Sequence, residues 1–350
     1  MKFIAEAIAS RYNLLESMKT KITKNQLCRY YHSTPAVFLS KSIKDYIKVS
    51  VKNSDINVEK ESYKDTNFLK IYKPTAKQLA LVVKKETKHL NREDQIVNIG
   101  DCVYRPAGFW TKQVHKLLYH IHNEGFKEAP KPLGFDVSGR EIVSFLKGEV
   151  SNYPLSSNAA SIRTLISAAN LLRRYHDASQ NFLANNSVDD KYWQLPYRSP
   201  KEVICHGDFA PYNVVLNGEK AVGIIDFDTC HPGPRTWDIA YAIYRWAPLT
   251  NPNNKDGFGS IEDQIVRARL FCKTYGLAEE NRTGMPDLII ERLQSLVDFM
   301  FSQAKEGNKT FELNIQNNHH LLYLADAEYI KSNKLFIEEE LVKKEIVSHE

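Results

Sequence analysis

Two carboxylates and one carboxamide, each beside a short apolar run, are the residues whose types and spacing best suit chemistry. Asp208 and Asn213 lie five positions apart in the segment 204–213, and Asp226 follows the apolar run 222–225. A carboxylate can orient an attacking hydroxyl, and carboxylate and amide oxygens are ligands that suit Mg²⁺. Phosphoryl transfer needs both functions, so the pattern predicts Asp208 as the catalytic base and Asn213 and Asp226 as metal ligands.

Three further polar residues are expected to support this site. His206 precedes Gly207 and is expected to hydrogen-bond the loop backbone rather than transfer protons. Asp228 either assists the metal through water or shapes the turn, and both interpretations stay open. Asp238 is expected at the head of a helix, where it caps the helix or braces the catalytic loop.

The motifs that contain these residues follow one another in a defined order. HGD occupies 206–208, Asn213 comes next, DFD occupies 226–228 and WDIA occupies 237–240. In this order they resemble the aminoglycoside phosphotransferase family, the kinase-like small-molecule phosphotransferases that also include choline and homoserine kinases. The resemblance implies a kinase that acts on an alcohol group.

The resemblance extends over about 97–329 and implies a fold. GDCVYRPAGFW at 100–110 resembles the strand and turn of the family's small lobe, and GREIVSFLKG at 139–148 resembles its hinge. The implied fold is α+β, bilobal and protein-kinase-like, with a small β-rich lobe and a larger, mainly helical lobe.

On the same basis the chain is divided into three parts. Residues 1–90 form an N-terminal extension of unknown role, 91–149 the small nucleotide-binding lobe, and 150–350 the large catalytic and acceptor-binding lobe. The family's cofactors are ATP and Mg²⁺. Its acceptor is a small molecule with a hydroxyl group, of the aminoglycoside, choline or homoserine kind.

The nucleotide-binding residues also follow from the resemblance. Kinase-like enzymes place a lysine on the strand that here carries Arg105, paired with a glutamate of the next helix, where this chain has His115. Arg105 either binds the phosphates in a bidentate way or is a solvated surface residue. The hinge residues Ser144, Phe145 and Leu146 are expected to receive the adenine through their backbone.

Hydrophobic periodicity and turn residues indicate the elements that position these side chains. Asn217-Gly218 predicts a hairpin that joins the strands 214–216 and 222–225. The segment 49–66 is polar and charged, and it is expected to be a surface loop or linker. Apolar residues at helical spacing predict helices at 111–121, 162–172, 237–246, 261–275, 288–304 and 318–346.

Composition excludes several classes of protein. The net charge of +5 over 350 residues is too small for a nucleic-acid-binding surface, though it fits an anionic ligand such as ATP. No apolar run approaches about 18 residues, so no membrane-spanning segment is expected. The five cysteines are scattered, without a C-x-x-C pair, which predicts reduced thiols and a cytoplasmic location rather than a disulfide framework or a zinc site.

Both ends of the chain allow two interpretations. RYYHST at 29–34 resembles a mitochondrial cleavage region, but Glu6 and Glu16 favour an appended helical segment instead. At the other end, the three glutamates at 338–340 either form helix-stabilising pairs with the lysines at 343–344 or resemble the export signal of bacterial effectors.

Acceptor recognition and activity each leave an alternative open. Residues of the large lobe that suit a cationic acceptor, but that core packing explains as well, are Tyr241, Tyr244, Trp246, Asp298 and Asp326. The alternative function is a catalytically weak or silent kinase-like binding protein, such as a bacterial effector. It is indicated by the glycine-free segment 90–96 and by the arginine in place of lysine.

Overall fold

The computed structural model describes residues 45–52, 55–62, 96–185 and 190–343. The described residues form two compact units. Unit 1 comprises those within Met1–Ala107 together with Leu133–Phe145, and unit 2 comprises Gly108–Pro132 together with those within Leu146–Glu350. Unit 1 consists mainly of strands and unit 2 mainly of helices, which confirms the predicted α+β class.

A two-stranded hairpin is the first described element of unit 1. Strands β1 (Asp45–Lys52) and β2 (Asp55–Ser62) are antiparallel, and Val49 lies opposite Val58. The expectation of a loop or linker over 49–66 is therefore wrong for these strands. Apolar residues alternate with polar ones at positions 47, 49 and 51, and this period of two outweighs the segment's high charge. The N-terminal alternatives for 1–44 and the segment 90–95 lie outside the described residues.

A four-stranded antiparallel sheet carries the predicted nucleotide-binding residues of unit 1. Its strands follow the order β3-β4-β6-β5. The register between β4 and β6 places Cys102 opposite Ser144 and Arg105 opposite Glu141. The strands are β3 (Val97–Ile99), β4 (Cys102–Arg105), β5 (Pro132–Phe135) and β6 (Glu141–Ser144).

Helix α1 (Thr111–Asn123) is packed into unit 2. The predicted helix face is buried, and Leu117 and Ile121 have no exposed surface. Both belong to the same core as Leu172 of the large unit. The sequence analysis placed this helix in the small lobe, whereas its apolar contacts lie with unit 2.

The helices of unit 2 agree with the periodicity of the sequence. The next helix after α1 is the short α2 (Ser157–Ala160), and the described part of the region 318–346, predicted as largely helical, contains two helices. The others are α3 (Ile162–Asn185), α4 (Arg235–Trp246), α5 (Ile261–Tyr275), α6 (Met285–Lys305), α7 (Lys309–Gln316), α8 (His319–Ser332) and α9 (Lys334–Val342).

Two short antiparallel pairs of strands lie among these helices. Strand β7 (Val203–Cys205) pairs with β10 (His231–Gly233), and β8 (Val214–Asn217) pairs with β9 (Lys220–Ile224). The second pair confirms the hairpin predicted from Asn217-Gly218. Its inner residues pack in the core that α1 and α3 share. The loops that follow β7 and β9 are therefore attached to a rigid base.

The helices and the cysteines of the described residues bear on two expectations from the sequence. Among the described residues, every helix is either too short or too polar to traverse a bilayer. Four cysteines are described, and none of them forms a disulfide. Three of these, Cys205, Cys230 and Cys272, are buried, and burial raises the pKa of each thiol.

Candidate active site

The loop that follows β7 turns sharply at Gly207. This residue has a φ of +81°, and a Cβ atom there would lie 2.4 Å from the backbone oxygen of Thr229. Only glycine fits such a turn, because other residues disfavour positive φ and a side chain would strike the neighbouring backbone. The turn exposes part of the next residue, Asp208, to solvent.

The carboxylate of Asp208 is held by two neighbours on its own loop. The Tyr212 hydroxyl donates to Oδ1 at 2.7 Å, and Nδ2 of Asn213 donates to Oδ2 at 2.9 Å. Burial raises the pKa of Asp208, and repulsion from the Asp226 carboxylate adds to this, while the bond from Tyr212 opposes it. The side chain is therefore fixed in direction and is a stronger proton acceptor than a free aspartate.

The β8–β9 pair brings Asn213 and Asp226 together. Asn213 precedes β8 and Asp226 lies two residues after β9, and Val214 pairs with Ile224. The Ile225 amide also donates to the Asn213 carbonyl oxygen at 2.9 Å. The three residues predicted to act together thus come from two loops whose backbones are hydrogen-bonded.

Asp226 has a left-handed backbone conformation, with φ of +62° and ψ of +64°. Non-glycine residues rarely adopt this conformation, and it costs roughly 1–2 kcal/mol. A short helical turn, Phe227–Thr229, follows at once and buries Asp228, which has 6% of its surface exposed. Strain of this kind is concentrated at functional sites.

His206 connects the two loops. Its Nε2 lies 3.0 Å from the carbonyl oxygen of Ile225, and the Asp208 amide donates to its Nδ1 at 3.3 Å. A carbonyl can only accept and an amide can only donate, so Nε2 is the donor of the ring and Nδ1 its acceptor. His206 therefore binds backbone on both sides.

Asp238, in the first turn of α4, fixes the loop that carries Asp208. Its Oδ2 accepts from the His206 amide at 2.7 Å, and its Oδ1 accepts from the Gly207 amide at 2.9 Å. Burial would raise the pKa of Asp238, but the interactions with His176 and with His206, including the bond from the His206 amide, outweigh burial and lower it to about 2. Asp238 is thus a buried anion that fixes two consecutive amides.

A chain of side chains supports Asp238 in turn. His176 on α3 donates from Nε2 to Oδ2 of Asp238 at 2.9 Å and accepts from the Tyr275 hydroxyl at 2.7 Å. Arg235 donates to that hydroxyl at 3.1 Å. Burial lowers the pKa of His176, so it is a neutral donor. Sequence analysis missed this support, because its members lie 62 and 99 residues apart and share no motif.

Arg105 in unit 1 is paired with a residue that the sequence analysis did not identify. Its Nε lies 2.6 Å from Oε1 of Glu141, and the side chains are 12% and 4% exposed. The alternative of a solvated surface arginine is therefore wrong. The sequence indicates this pair only indirectly, because Glu141 becomes a neighbour of Arg105 through the pairing of β4 with β6.

The three hinge residues continue directly from β6. Ser144 ends the strand, and the amide of Phe145 donates to the carbonyl oxygen of Asp101 at 2.8 Å. Leu146 is half-buried and belongs to unit 2. The Phe145 amide is thus engaged within unit 1.

The donor set of the site fits Mg²⁺. The described residues contain no cluster of three His, Cys, Asp or Glu side chains that could bind a metal alone. Mg²⁺ is usually held by one or two carboxylates together with substrate phosphates and water. The Asp226 carboxylate and the side-chain oxygen of Asn213 meet that need. The Nδ2 group of Asn213 donates to Asp208, so the side-chain oxygen is the atom of Asn213 that would bind the ion.

The residues considered for a cationic acceptor are mostly structural. Tyr244 and Trp246 are buried in the core. Asp326 is also buried and accepts hydrogen bonds from the Tyr244 hydroxyl at 2.8 Å and from the Asn251 amide at 2.9 Å. Tyr241, which is buried too, lies with its hydroxyl 3.1 Å from that of Tyr212, and Asp298 is exposed.

Two solved structures are similar to this chain at low sequence identity. One is an ethanolamine kinase of Plasmodium vivax, with 15% identity and a TM-score of 0.48, covering 73% of this chain and 89% of that one. The other is the amicoumacin kinase hAmiN in complex with AMP-PNP, Ca²⁺ and Ami, with 12% identity and a TM-score of 0.45, covering 68% and 93%.

The sequence comparisons are stronger. The trifolitoxin immunity protein of Rhizobium leguminosarum bv. trifolii is 34% identical over 221 residues, which cover 61% of this chain and 82% of the relative. A family model described as "Phosphotransferase enzyme family" (APH) matches residues 186–260, which include the HGD, DFD and WDIA motifs. These matches confirm the predicted enzyme class, and the chain belongs to the phosphotransferase enzyme family.

Proposed function

We propose that this protein is a kinase that uses ATP and Mg²⁺ to phosphorylate a hydroxyl group of a small molecule. The observation that supports this most directly is the position of Asp208, whose carboxylate is fixed by Tyr212 and Asn213 beside Asp226. A fixed carboxylate next to a pair of metal-binding oxygens is the arrangement that phosphoryl transfer requires.

In this proposal Asp208 orients the acceptor hydroxyl and receives its proton. Its partial exposure lets an acceptor approach, and its raised pKa strengthens it as a base. Asp238 and His206 act as positioning residues, because they fix the amides and the carbonyl around the loop. Asp228 has a structural role in the turn after Asp226, where it is buried.

Asn213 and Asp226 would hold the Mg²⁺ ion through their side-chain oxygens. When bound, such an ion neutralises the charge of the nucleotide phosphates. The orientation of Asn213 follows from its two hydrogen bonds to Asp208, which direct its amide group to the base. The same amide therefore couples the metal ligand to the base.

Nucleotide binding is proposed for residues around the hinge. Arg105, held by Glu141, would contact the phosphates in place of the usual lysine. The backbone of Ser144, Phe145 and Leu146 would bind the adenine. The Phe145 amide already donates to the Asp101 carbonyl oxygen. The proposed partner is a small hydroxylated molecule, without nucleic acid or membrane, in the cytoplasm.

The test is a measurement of ADP formation by the full chain with Mg-ATP and a panel of amino alcohols, aminoglycosides and sugars. An active acceptor should raise ADP formation and yield a phosphorylated product by mass spectrometry. Asp208→Asn should reduce kcat by about 10²–10⁴-fold, as for loss of a general base. The matched control is Asp287→Asn, an exposed aspartate paired with Lys334. An undiminished rate in Asp208→Asn would contradict the proposal.

A biological role follows from the relative that is named an immunity protein. We infer that phosphorylation by this protein inactivates a toxic compound, because 34% identity over most of that relative supports a shared role. Expression in a toxin-sensitive bacterium should confer resistance that Asp208→Asn abolishes. Equal protection by the variant would favour the silent, binding-only alternative.

Mg-ATP should also raise the Tm of the full chain, and an unchanged Tm would favour the silent alternative too.

A further inference from the structure

The guanidinium of Arg245 is buried among tyrosine rings. Arg245 has 6% of its surface exposed. Its Cζ lies 4.0 Å from the ring centroid of Tyr153 and 5.5 Å from those of Tyr212 and Tyr244. A positive charge placed over aromatic faces is attracted by their electron density. These rings therefore form a ready site for a cation, and the protein's own arginine occupies it.

This cluster adjoins the catalytic base. Tyr212 donates its hydroxyl to Oδ1 of Asp208 at 2.7 Å, while the Arg245 guanidinium lies over its ring. Burial raises the pKa of Tyr153 and of Tyr212, and both Arg245 and Asp208 act on these hydroxyls by Coulomb forces. Arg245 and Asp208 therefore both contact Tyr212, Arg245 over its ring and Asp208 at its hydroxyl.

A second arginine occupies the next aromatic face. The Cζ of Arg292 lies 4.4 Å from the ring centroid of Tyr241, and its Nη2 donates to the carbonyl oxygen of Gly207. Tyr241 in turn contacts the hydroxyl of Tyr212. An ammonium acceptor needs open aromatic faces or carboxylates. Near Asp208 these faces are covered by two positive charges.

Asp326, which borders this cluster through Tyr244, is also engaged. Asp326 accepts bonds from the Tyr244 hydroxyl and from the Nδ2 groups of Asn251 and Asn254. Four donors, including the Asn251 amide, thus fill its two oxygens. A cationic acceptor would have to displace these bonds. The charge around the site therefore disfavours the amine acceptors that the sequence suggested.

Arg245 itself has unused hydrogen-bonding capacity. Its Nη2 lies 3.6 Å from Oδ2 of Asp256, which is longer than a hydrogen bond. Its buried Nε has no hydrogen-bond partner among the described residues. A buried donor without a partner is costly, and one that belongs to a charged group more so. An oxyanion that displaced Asp256 at Nη2 would make the charge-assisted bond that the 3.6 Å separation does not provide.

We propose that the acceptor is a hydroxy acid whose carboxylate binds Arg245 while its hydroxyl meets Asp208. The tyrosine rings would cover the carbon skeleton between the two groups. Asp256 would compete with the acceptor carboxylate for the guanidinium, because it is the carboxylate that faces Arg245 in the described structure. This inference rests on the proposed function and specifies the charge of its acceptor.

The first test uses acceptors matched in size that differ in charge. One set is glycolate, ethylene glycol and ethanolamine, and the other is glycerate, glycerol and serinol. ADP formation by the full chain with Mg-ATP is measured for each, and the phosphorylated product is identified by mass spectrometry. We expect kcat/KM for the acid to exceed that of the neutral and cationic members by at least about tenfold. An amine that equals or exceeds its acid would overturn the inference.

Two variants should change KM for the acid in opposite directions. Arg245→Gln should raise KM for the acid about tenfold or more, and by a larger factor than it changes KM for the diol. Asp256→Asn removes the competing carboxylate and should lower KM for the acid. If Arg245 had only a structural role, Asp256→Asn would not lower KM for the acid. Should Arg245→Gln fail to fold, Asp256→Asn decides alone, and an unchanged or higher KM for the acid contradicts the inference.

A binding measurement separates this inference from the proposed function. Asp208→Asn protein, without ATP, is mixed with glycolate, glycerate or their neutral analogues, and its Tm is recorded. The acids should raise the Tm and the diols should not. Binding of the acids without any phosphorylated product in the unchanged protein would refute only the proposed function. Turnover of ethanolamine or serinol without acid binding would refute only the inference.

Discussion

Nε of Arg105 lies 2.6 Å from Oε1 of Glu141, and the two residues face each other across the β4–β6 pair. Sequence reasoning sought a glutamate on the following helix, which has His115 instead. The structure supplies the carboxylate from a neighbouring strand. Both side chains are nearly buried, so the pair orients the guanidinium without a helix.

Glu141→Gln should therefore destabilise unit 1. It removes the negative charge that faces the buried Arg105 guanidinium, and loss of one partner of a buried pair costs about 3–5 kcal/mol. Hydrogen exchange of the β4 and β6 amides would measure the loss. Glu219→Gln is the matched control, because its pair with Arg163 is exposed and worth about 0–1 kcal/mol. Equal effects of the two changes would contradict the role given to Glu141.

Gly207→Ala should disrupt the loop that carries Asp208. The added Cβ would lie 2.4 Å from the Thr229 oxygen at a φ of +81°, so the expected cost is about 3 kcal/mol together with loss of activity. Gly218→Ala is the control, because Gly218 also has a positive φ, +59°, but has no atom within 4 Å of the added Cβ. Urea unfolding should give about 1 kcal/mol for that change. Similar losses at both positions would show that the contact with Thr229 is unimportant.

Tyr212→Phe should slow phosphoryl transfer without unfolding the protein. It removes the hydrogen bond to Oδ1 of Asp208, and misorientation of this proposed base should lower kcat about tenfold. Steady-state kinetics with any accepted substrate would measure this. Tyr119→Phe removes a hydroxyl bonded to the Pro132 carbonyl oxygen on a half-exposed residue, and its kcat should stay unchanged. A wild-type kcat for Tyr212→Phe would rule out the orienting role.

His231 should make the stability of the protein depend on pH. Burial lowers its pKa to about 4, with help from the charges of Arg292 and Arg198, whereas an unfolded histidine titrates near 6.5. Below pH 6.5 the unfolded chain binds a proton that the folded state resists, so stability falls as the pH decreases toward 4. Between pH 7 and pH 5 this amounts to about 2 kcal/mol.

His231→Asn should remove that part of the pH dependence. Asparagine keeps a donor for the Thr229 carbonyl oxygen, which Nδ1 of His231 contacts at 2.9 Å, but it does not titrate. Free energies of unfolding from urea titrations at pH 7 and pH 5 would be compared for both proteins. The difference between the two pH values should be about 2 kcal/mol smaller in the variant. The same difference in both proteins would exclude His231 as its source.

Local patterns were sufficient to predict much of this fold. Asn217-Gly218 specified a hairpin because few other residues adopt the backbone of its turn. Most of the helices of unit 2 followed from apolar residues at helical spacing, whereas α2 and α7 were not predicted. The charged hairpin at 45–62 was missed because its composition was given more weight than its alternation.

The site was predictable only where its residues adjoin in sequence or belong to one motif. Asp208 and Asn213 share a loop, and Asp226 follows the strand that pairs beside it. In contrast, His176 reaches Asp238 through the packing of α3, and Arg245 meets Tyr153 across 92 residues. Contacts of that kind depend on how helices pack, which no spacing rule specifies.

The left-handed backbone of Asp226 lowers the stability of the protein at a position that the proposed activity requires. Glycine adopts a φ of +62° without penalty, so Asp226→Gly should gain roughly 1 kcal/mol of folding free energy. The same change deletes the oxygen ligands proposed for the metal. A screen for heat-resistant variants should therefore enrich an inert protein at this position, and a screen for turnover should restore the aspartate.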